Sequence, residues 1–407
     1  QRKLKKLNIF FGGEKLFFMK KKIIYGIDNF IEKAKDKSPK YYAGLICNQA
    51  SVTSDLKYTH IELSKLLNIK YLFSPQHGFY STEQANMIES PDCKDELTGL
   101  PVVSLYSNTR KINAKYLKKI DVLIFDLQDV GARYYTYLWT LYYCMEACEK
   151  HNKKLIILDR PNIITGNIIE GYTIENDYTS FVGLYPILMR YGLTIGEFAK
   201  FLKMTKFKNI DLEIYKLTNW SRNKYFDDYS NHWIPASPNI PTIDSAVVYP
   251  GFCLFEGTNI SEGRGTTRPF EIIGAPFVNP KKLVDELNLY KFNSVYFRTI
   301  YFKPTFDKFK NEICGGVFLH IIDRRNFKPC RVAIALLYAL KKLYPNQFDW
   351  FQGKYEYCKK HLAIDILYGS TKLRKIIDNG GDINIIFDEM AEAEKKWSEI
   401  FQKWWLY

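Results

Sequence analysis

Two glutamates six residues apart, Glu256 and Glu262, share the stretch FEGTNISEGRGTTRPF (255–270) with Arg264 and Arg268. Carboxylates move protons and pair with cations; a planar guanidinium binds a carboxylate in bidentate fashion. No apolar residue recurs at a period of 2 or 3.6 between Gly257 and Arg268, so the stretch is neither a core strand nor a core helix. Its glycines let backbone approach a ligand closely. The expectation is a ligand-binding wall. The plainer reading has each glutamate serving only as a structural partner of Arg264 or Arg268.

A second polar set gathers where apolar runs stop. Asn48 and Gln49 follow YYAGLICN (41–48), and Gln76 and His77 close IKYLFSPQHG (69–78). Gln128, Asp129 and Arg133 follow DVLIFDLQD (121–129), and Asp159, Arg160 and Asn162 end KKLIILDRPN (153–162). With LPVVSLY (100–106), these runs alternate with helix-length segments such as YYTYLWTLYYCMEACEK. That alternation predicts parallel βαβ units in an open α/β sheet. The carboxyl ends of such strands share one edge, where open α/β folds bind ligands. Each polar residue alone reads as a turn cap; four strand ends together read as a site.

The elements divide the chain into a basic extension at 1–22, a Rossmann-like unit at 23–210 and a smaller α/β unit at 211–407. The last begins with DLEIYKL (211–217) and the proline-rich loop HWIPASPNIPT (232–242). It continues with helix NPKKLVDELNLY, strands VYFRTIYFKPTF and GGVFLHIID, helix RVAIALLYALKKLYP, and an amphipathic tail helix ending near Trp404 and Trp405.

Bulk properties exclude several classes. The chain has 407 residues and a net charge of +14, but eight Lys/Arg and one Glu place +7 of that in residues 1–22. No nucleic-acid motif accompanies the charge. No apolar run reaches the roughly 18 residues of a membrane span. A dinucleotide or P-loop site lacks its glycine fingerprint, and a serine hydrolase lacks its G-x-S-x-G elbow. A metal-dependent hydrolase using Asp129, His77 and Asp159 lacks ligand spacing. Eight scattered cysteines without CxxC read as reduced, buried thiols, with Cys144 and Cys148 on one helix face. The cytoplasm is favoured, with the periplasm or exterior as the alternative if a signal lies upstream. No cofactor and no obligate protein partner are called for.

DVLIFDLQDVGARYYTY, LDRPNIITGNIIEG, FVGLYPILMRYGLTIGEFAKF, SPNIPT, FEGTNISEGRGTTRPFEIIGAP and CGGVFLHIIDR together resemble the NamZ exo-β-N-acetylmuramidase family, formerly a domain of unknown function and now a glycoside hydrolase family. The resemblance runs from about residue 23 to about 400. It implies a Rossmann-like N-terminal domain, a smaller C-terminal α/β domain and a cleft between them. It also implies release of non-reducing terminal β-linked N-acetylmuramic acid from peptidoglycan fragments, with an amino sugar or muropeptide as substrate.

That chemistry needs an acid for the leaving oxygen and a second carboxylate, or else the sugar's own acetamido group as nucleophile. Many members of the family read Pro-Glu-His-Gly where this chain has Pro75-Gln76-His77-Gly78. Gln76 cannot donate a proton as an acid. The acid is then Glu83 or Glu89 of the same loop, or Glu256 or Glu262. Otherwise the protein is an impaired relative that binds muropeptides or amino sugars without cleaving them. His77 is a candidate to polarise or protonate a ligand oxygen. Arg133, Arg264 and Arg268 are candidates for the lactyl carboxylate that distinguishes muramic acid from glucosamine. Asp129 completes that side of the site, and Asn48, Tyr185 and Asn239 are candidate hydroxyl or acetamide contacts.

Overall fold

The computed structural model describes residues 20–35, 41–85 and 87–407. Most of the basic extension at 1–22 lies outside the described residues. The first sheet has seven strands: β1 (Tyr42–Ile46), β2 (Asn68–Ser74), β3 (Cys93–Lys94), β4 (Pro101–Ser104), β5 (Val122–Phe125), β6 (Lys154–Leu158) and β7 (Leu212–Tyr215). Their order is β3-β4-β2-β1-β5-β6-β7. All pairings are parallel except that of β3 with β4. Without the short antiparallel edge strand, this is the Rossmann order, which reverses direction between β1 and β5. β5 is buried at every position, as a strand covered on both faces must be.

Adjacent residues of β7 show the two covered faces. The ring of Tyr215 meets Phe30 of helix Gly26–Lys35 at 4.9 Å. Ile214 instead lies against Gly196 of helix Ile195–Thr205. Successive strand residues point to opposite faces, so one helix lies on each side. The second helix starts at a capping box: Thr194 accepts from the Glu197 amide, and Glu197 accepts from the Thr194 amide.

The segment 211–217, assigned from sequence to the second unit, supplies β7, the last strand of the first sheet. Its apolar residues pair in register with β6, from Leu155↔Leu212 to Leu158↔Tyr215. The second sheet has three antiparallel strands in the order β8 (Ile272–Ala275), β10 (Cys314–Ile321), β9 (Val295–Phe302). At the start of β9, Val295 and Phe297 face inward while Tyr296 and Arg298 face outward, the alternation of a sheet with one wet face. Helices Pro280–Asn288 and Pro329–Leu343 pack on each other, the former also against β9 and β10. The tail helix Asn384–Phe401 returns to the first unit, where Trp404 packs on Phe201 at 5.3 Å and Trp405 stacks under Arg222 at 4.2 Å. No helix among the described residues is long and apolar enough to cross a membrane.

Candidate active site

A small, partly enclosed cavity opens at the carboxyl edge of the first sheet. Gln76 and His77, just beyond β2, and Tyr134–Tyr137, beyond β5, form one side. Ser237, Asn239, Tyr249, Glu256, Arg264, Tyr355 and Glu356 close it from the other. Asn48, at the end of β1, stands behind the lining and donates from Nδ2 to Tyr137 Oη at 3.0 Å and to the Ala236 carbonyl at 3.3 Å. Asn239 lines the cavity, with its Nδ2 given to the Gln84 carbonyl at 2.6 Å.

The 255–270 stretch is a wall, and it is also packed. Nearly every residue from Phe252 to Gly265 is buried. Gly263 and Gly265 have φ of +78° and +77°, and a Cβ at either would collide with backbone of this chain: the Ile272 and Arg268 carbonyls, and Phe306. These glycines therefore serve close packing inside the protein, where the sequence reading had them approach a ligand. Glu256 and Arg264 line the cavity on one side, and a second, more open space that includes Glu262, Asp307 and Lys308 on the other.

Arg264 sits between the two glutamates. Its Nη2 donates to Glu256 Oε1 at 2.6 Å, and its Nε lies 3.2 Å from Glu262 Oε1. Burial alone would lower its pKa, but the two carboxylates raise it above the usual guanidinium range. Glu256 Oε2 accepts from Tyr355 Oη at 2.6 Å. Glu262 Oε2 accepts from Lys308 Nζ at 2.9 Å. Burial pushes Glu262 toward its neutral form, but Lys308 and Arg264 more than offset this and hold its pKa below the usual carboxylate range. Glu262 is therefore an anion at neutral pH and not a proton donor. Among the described residues, Arg264 Nη1 has no hydrogen-bond partner, and neither does the buried Tyr134 hydroxyl that lines the same cavity. Buried polar groups without partners are rare in folded chains.

His77 adopts φ +73°, and its Nδ1 lies 2.6 Å from the Glu83 carbonyl. Burial first, then the charge of Arg264, push its pKa down to about 4. At neutral pH it is an uncharged imidazole in the cavity wall. It is not the imidazolium acid the sequence also allowed.

Several residues singled out from sequence lie elsewhere. Arg133 is fully buried and donates to the carbonyls of Tyr172, Ile187, Leu367 and Tyr368 at 2.6–3.2 Å, so it ties the two units together. Arg268 has 47% of its side chain exposed and faces Glu271 at 3.4 Å, outside the cavity. Asp129 accepts from the Gly131 amide at 2.6 Å and from the Tyr191 hydroxyl; burial raises its pKa to about 6. Tyr185 lines a separate groove beside Phe201 and Trp397. Glu89 is exposed and accepts from Tyr357 Oη at 2.7 Å, outside the cavity. At the end of β6, Arg160 forms a two-point pair with Asp126 beyond β5, at 2.6 and 2.8 Å, and Asp159 accepts from Thr194, Gly196 and Tyr407. These polar strand ends fasten the sheet to its neighbours. His77, Asp129 and Asp159 belong to separate networks, and the described residues contain no group of three or more His, Cys, Asp or Glu that could hold a metal ion.

Glu356 was missed from sequence. It lies in KYEYC, a short run after a glycine with no acid–base signature of its own. Its carboxyl is buried in the cavity wall, 2.9 and 3.0 Å from Tyr106 Oη, and the Gln76 side chain hydrogen-bonds it. Tyr106 follows β4, so this strand end also contributes.

Fold and site together define a class: a two-unit α/β protein whose Rossmann-ordered sheet carries a carboxylate- and tyrosine-lined cavity at its switch-point edge, closed by the second unit. Comparison with known proteins narrows the class. The family model described as exo-β-N-acetylmuramidase NamZ, N-terminal, matches residues 43–244, and its C-terminal counterpart matches residues 247–407. The chain belongs to the NamZ exo-β-N-acetylmuramidase family. It is 39% identical over 390 residues to the peptidoglycan β-N-acetylmuramidase NamZ of Bacillus subtilis (strain 168), covering 95% of this chain and 92% of that one. Two solved DUF1343 family structures from Bacteroides fragilis resemble it over 95% of this chain and 99% of theirs. One is 32% identical with a TM-score of 0.85, the other 26% identical with a TM-score of 0.72.

Proposed function

We propose that this protein hydrolyses the terminal non-reducing β-linked N-acetylmuramic acid from peptidoglycan fragments. The observation that carries the reading is the cavity itself. It combines buried carboxyl groups, a guanidinium with one Nη unpartnered among the described residues, and tyrosine walls around one space. Aromatic walls with polar tips suit the alternating faces of a sugar ring. Of the three arginines proposed for the lactyl carboxylate, Arg264 alone lines the cavity. Asn239 and the Tyr134 hydroxyl are placed to meet sugar hydroxyl or acetamide groups. The unpaired thiols, most of them buried, favour a reducing compartment such as the cytoplasm.

A second reading, a muropeptide-binding protein without turnover, is favoured by Gln76. Release of chromophore from a chromogenic β-N-acetylmuramide, beside the matching β-N-acetylglucosaminide, separates the two. Hydrolysis of the muramide alone is expected. Calorimetric binding of both the sugar and the fragment without release would establish the binding protein instead.

A further inference from the structure

We propose that Glu356 is the general acid of this protein, standing in for the carboxyl that Gln76 lacks. The inference rests on the hydrolytic reading above and names the group that protonates the leaving oxygen.

Five carboxyl groups compete for the role, and their surroundings separate them; Glu83 does not line the cavity. Glu89 is exposed and outside the cavity. Glu262 is held as an anion by Lys308 and Arg264 and lines the far side of the wall. Glu256 has both oxygens engaged, one by the Arg264 guanidinium and one by Tyr355. Among the described residues, Glu356 has no cationic partner within ion-pair distance, and its carboxyl meets the Tyr106 hydroxyl. It meets a phenol and an amide, and it lies in the wall beside Gln76. Its own backbone is in the left-handed region, with φ +43°, and Tyr357 follows at +64°. Such conformations are costly for residues with side chains and gather at functional sites. Its amide is fixed by Met87 Sδ at 3.1 Å, which ties the segment to the loop that carries Gln76 and His77.

The charged and titratable groups that act on it are Tyr106, Arg110 and Glu256. Burial dominates and raises its pKa to about 7; the Glu256 charge adds to the rise, while Tyr106, Arg110 and the Gln76 amide oppose it. A carboxyl so placed keeps its proton near neutrality, as a general acid requires.

In the reaction, the C1–O bond to the leaving sugar breaks with its electron pair on the oxygen, which takes the proton of Glu356. The leaving sugar departs as a neutral alcohol. Water gives its hydroxyl to C1, and its remaining proton restores the Glu356 carboxyl.

The test compares two substrates that differ in their need for an acid: 4-nitrophenyl β-N-acetylmuramide, whose leaving group departs as a stable anion, and the disaccharide of N-acetylmuramic acid β-linked to N-acetylglucosamine. Glu356→Gln is expected to lose about 10²-fold or more in kcat on the disaccharide and less than about tenfold on the nitrophenyl sugar, matching the worth of general acid catalysis. The alkaline fall in wild-type activity on the disaccharide is expected to vanish in the variant. Equal losses on both substrates, or none, overturn the assignment. Wild-type protein inactive on both overturns the hydrolytic reading itself, a separate outcome. Tyr106→Phe provides a second handle that keeps the carboxyl. It removes a donor that favours the anion, so the alkaline limb is expected to move to higher pH, and an unmoved limb counts against Glu356.

Discussion

Gln76 and Glu356 meet across the cavity wall with their hydrogen-bonding roles fixed. Thr136 Oγ1 donates to Gln76 Oε1 at 2.6 Å, which turns the amide nitrogen of Gln76 toward the Glu356 carboxyl. A glutamine here gives a donor beside a buried carboxyl. A glutamate would instead place two carboxyls side by side, which cannot both ionise readily. Glutamine at position 76 therefore leaves the Glu356 carboxyl beside an amide donor and a phenol, with no second anion in contact through residue 76.

Replacing Gln76 with glutamate tests that relationship. The pair would share one proton and titrate as a unit. With Gln76→Glu, the alkaline limb of the pH–kcat/KM profile is expected to shift up by about one pH unit, as for neighbouring like charges. A limb that stays put would mean that the group controlling it does not touch residue 76.

Glu356 also links stability to pH. Its folded pKa of about 7 exceeds the 4.5 of a free glutamate side chain, so the folded protein binds this proton more tightly than the unfolded chain. The stabilisation is complete below the unfolded pKa. It is lost as pH rises through the folded value, to a total of roughly 3 kcal/mol. Asp129 and Asp159, raised by burial to about 6 and about 7, act in the same direction. Urea unfolding of wild type and Glu356→Gln at about pH 5 and about pH 8 isolates the Glu356 share, because the aspartates cancel between the two proteins. The loss on going alkaline is expected to be smaller in the variant by roughly 2–3 kcal/mol.

Local chemistry explains what the sequence made legible. Strands β1, β2, β4, β5 and β6 were readable because buried parallel strands are continuous apolar runs between polar ends. That Gln76 and His77 line one cavity followed from the shared edge of those strands. The roles of Arg133, Asp159 and Arg160 were not legible, since an arginine that binds four carbonyls and one that binds a ligand are the same letter. The partners of Arg133 lie up to 235 residues away. Glu356 was hidden for the same reason: it is buried among groups distant in the chain, Tyr106 lying 250 residues away. Strand β7 was placed in the wrong half because a short apolar run does not name the sheet it joins.

Arg133 is a test of that distinction. Arg133→Met fits a similar volume but leaves four buried carbonyls without their donors. A destabilisation of about 3 kcal/mol or more is expected in urea unfolding, from the desolvation cost of unpaired acceptors. KM for the muramide, measured where the variant is folded, is expected to stay near that of wild type. A raised KM at unchanged stability would return Arg133 to the substrate.

Arg264 is placed to do what Arg133 and Arg268 are not. Its charge is already shared between Glu256 and Glu262, and Lys308 completes a balanced group of two anions and two cations. What it has to offer a lactyl carboxylate is the Nη1 group, which has no partner among the described residues. Lysine at this position keeps the charge for the two glutamates but has no second arm to extend. Arg264→Lys is therefore expected to reduce the preference for the muramide over the glucosaminide, read as a ratio of kcat/KM values, by about tenfold, the worth of roughly one charge-assisted hydrogen bond. The glucosaminide rate sets the baseline, because it lacks the carboxylate and shares every other contact. If both rates fall together and the ratio holds, Arg264 serves only to position Glu256, and the lactyl group is read by another part of the wall.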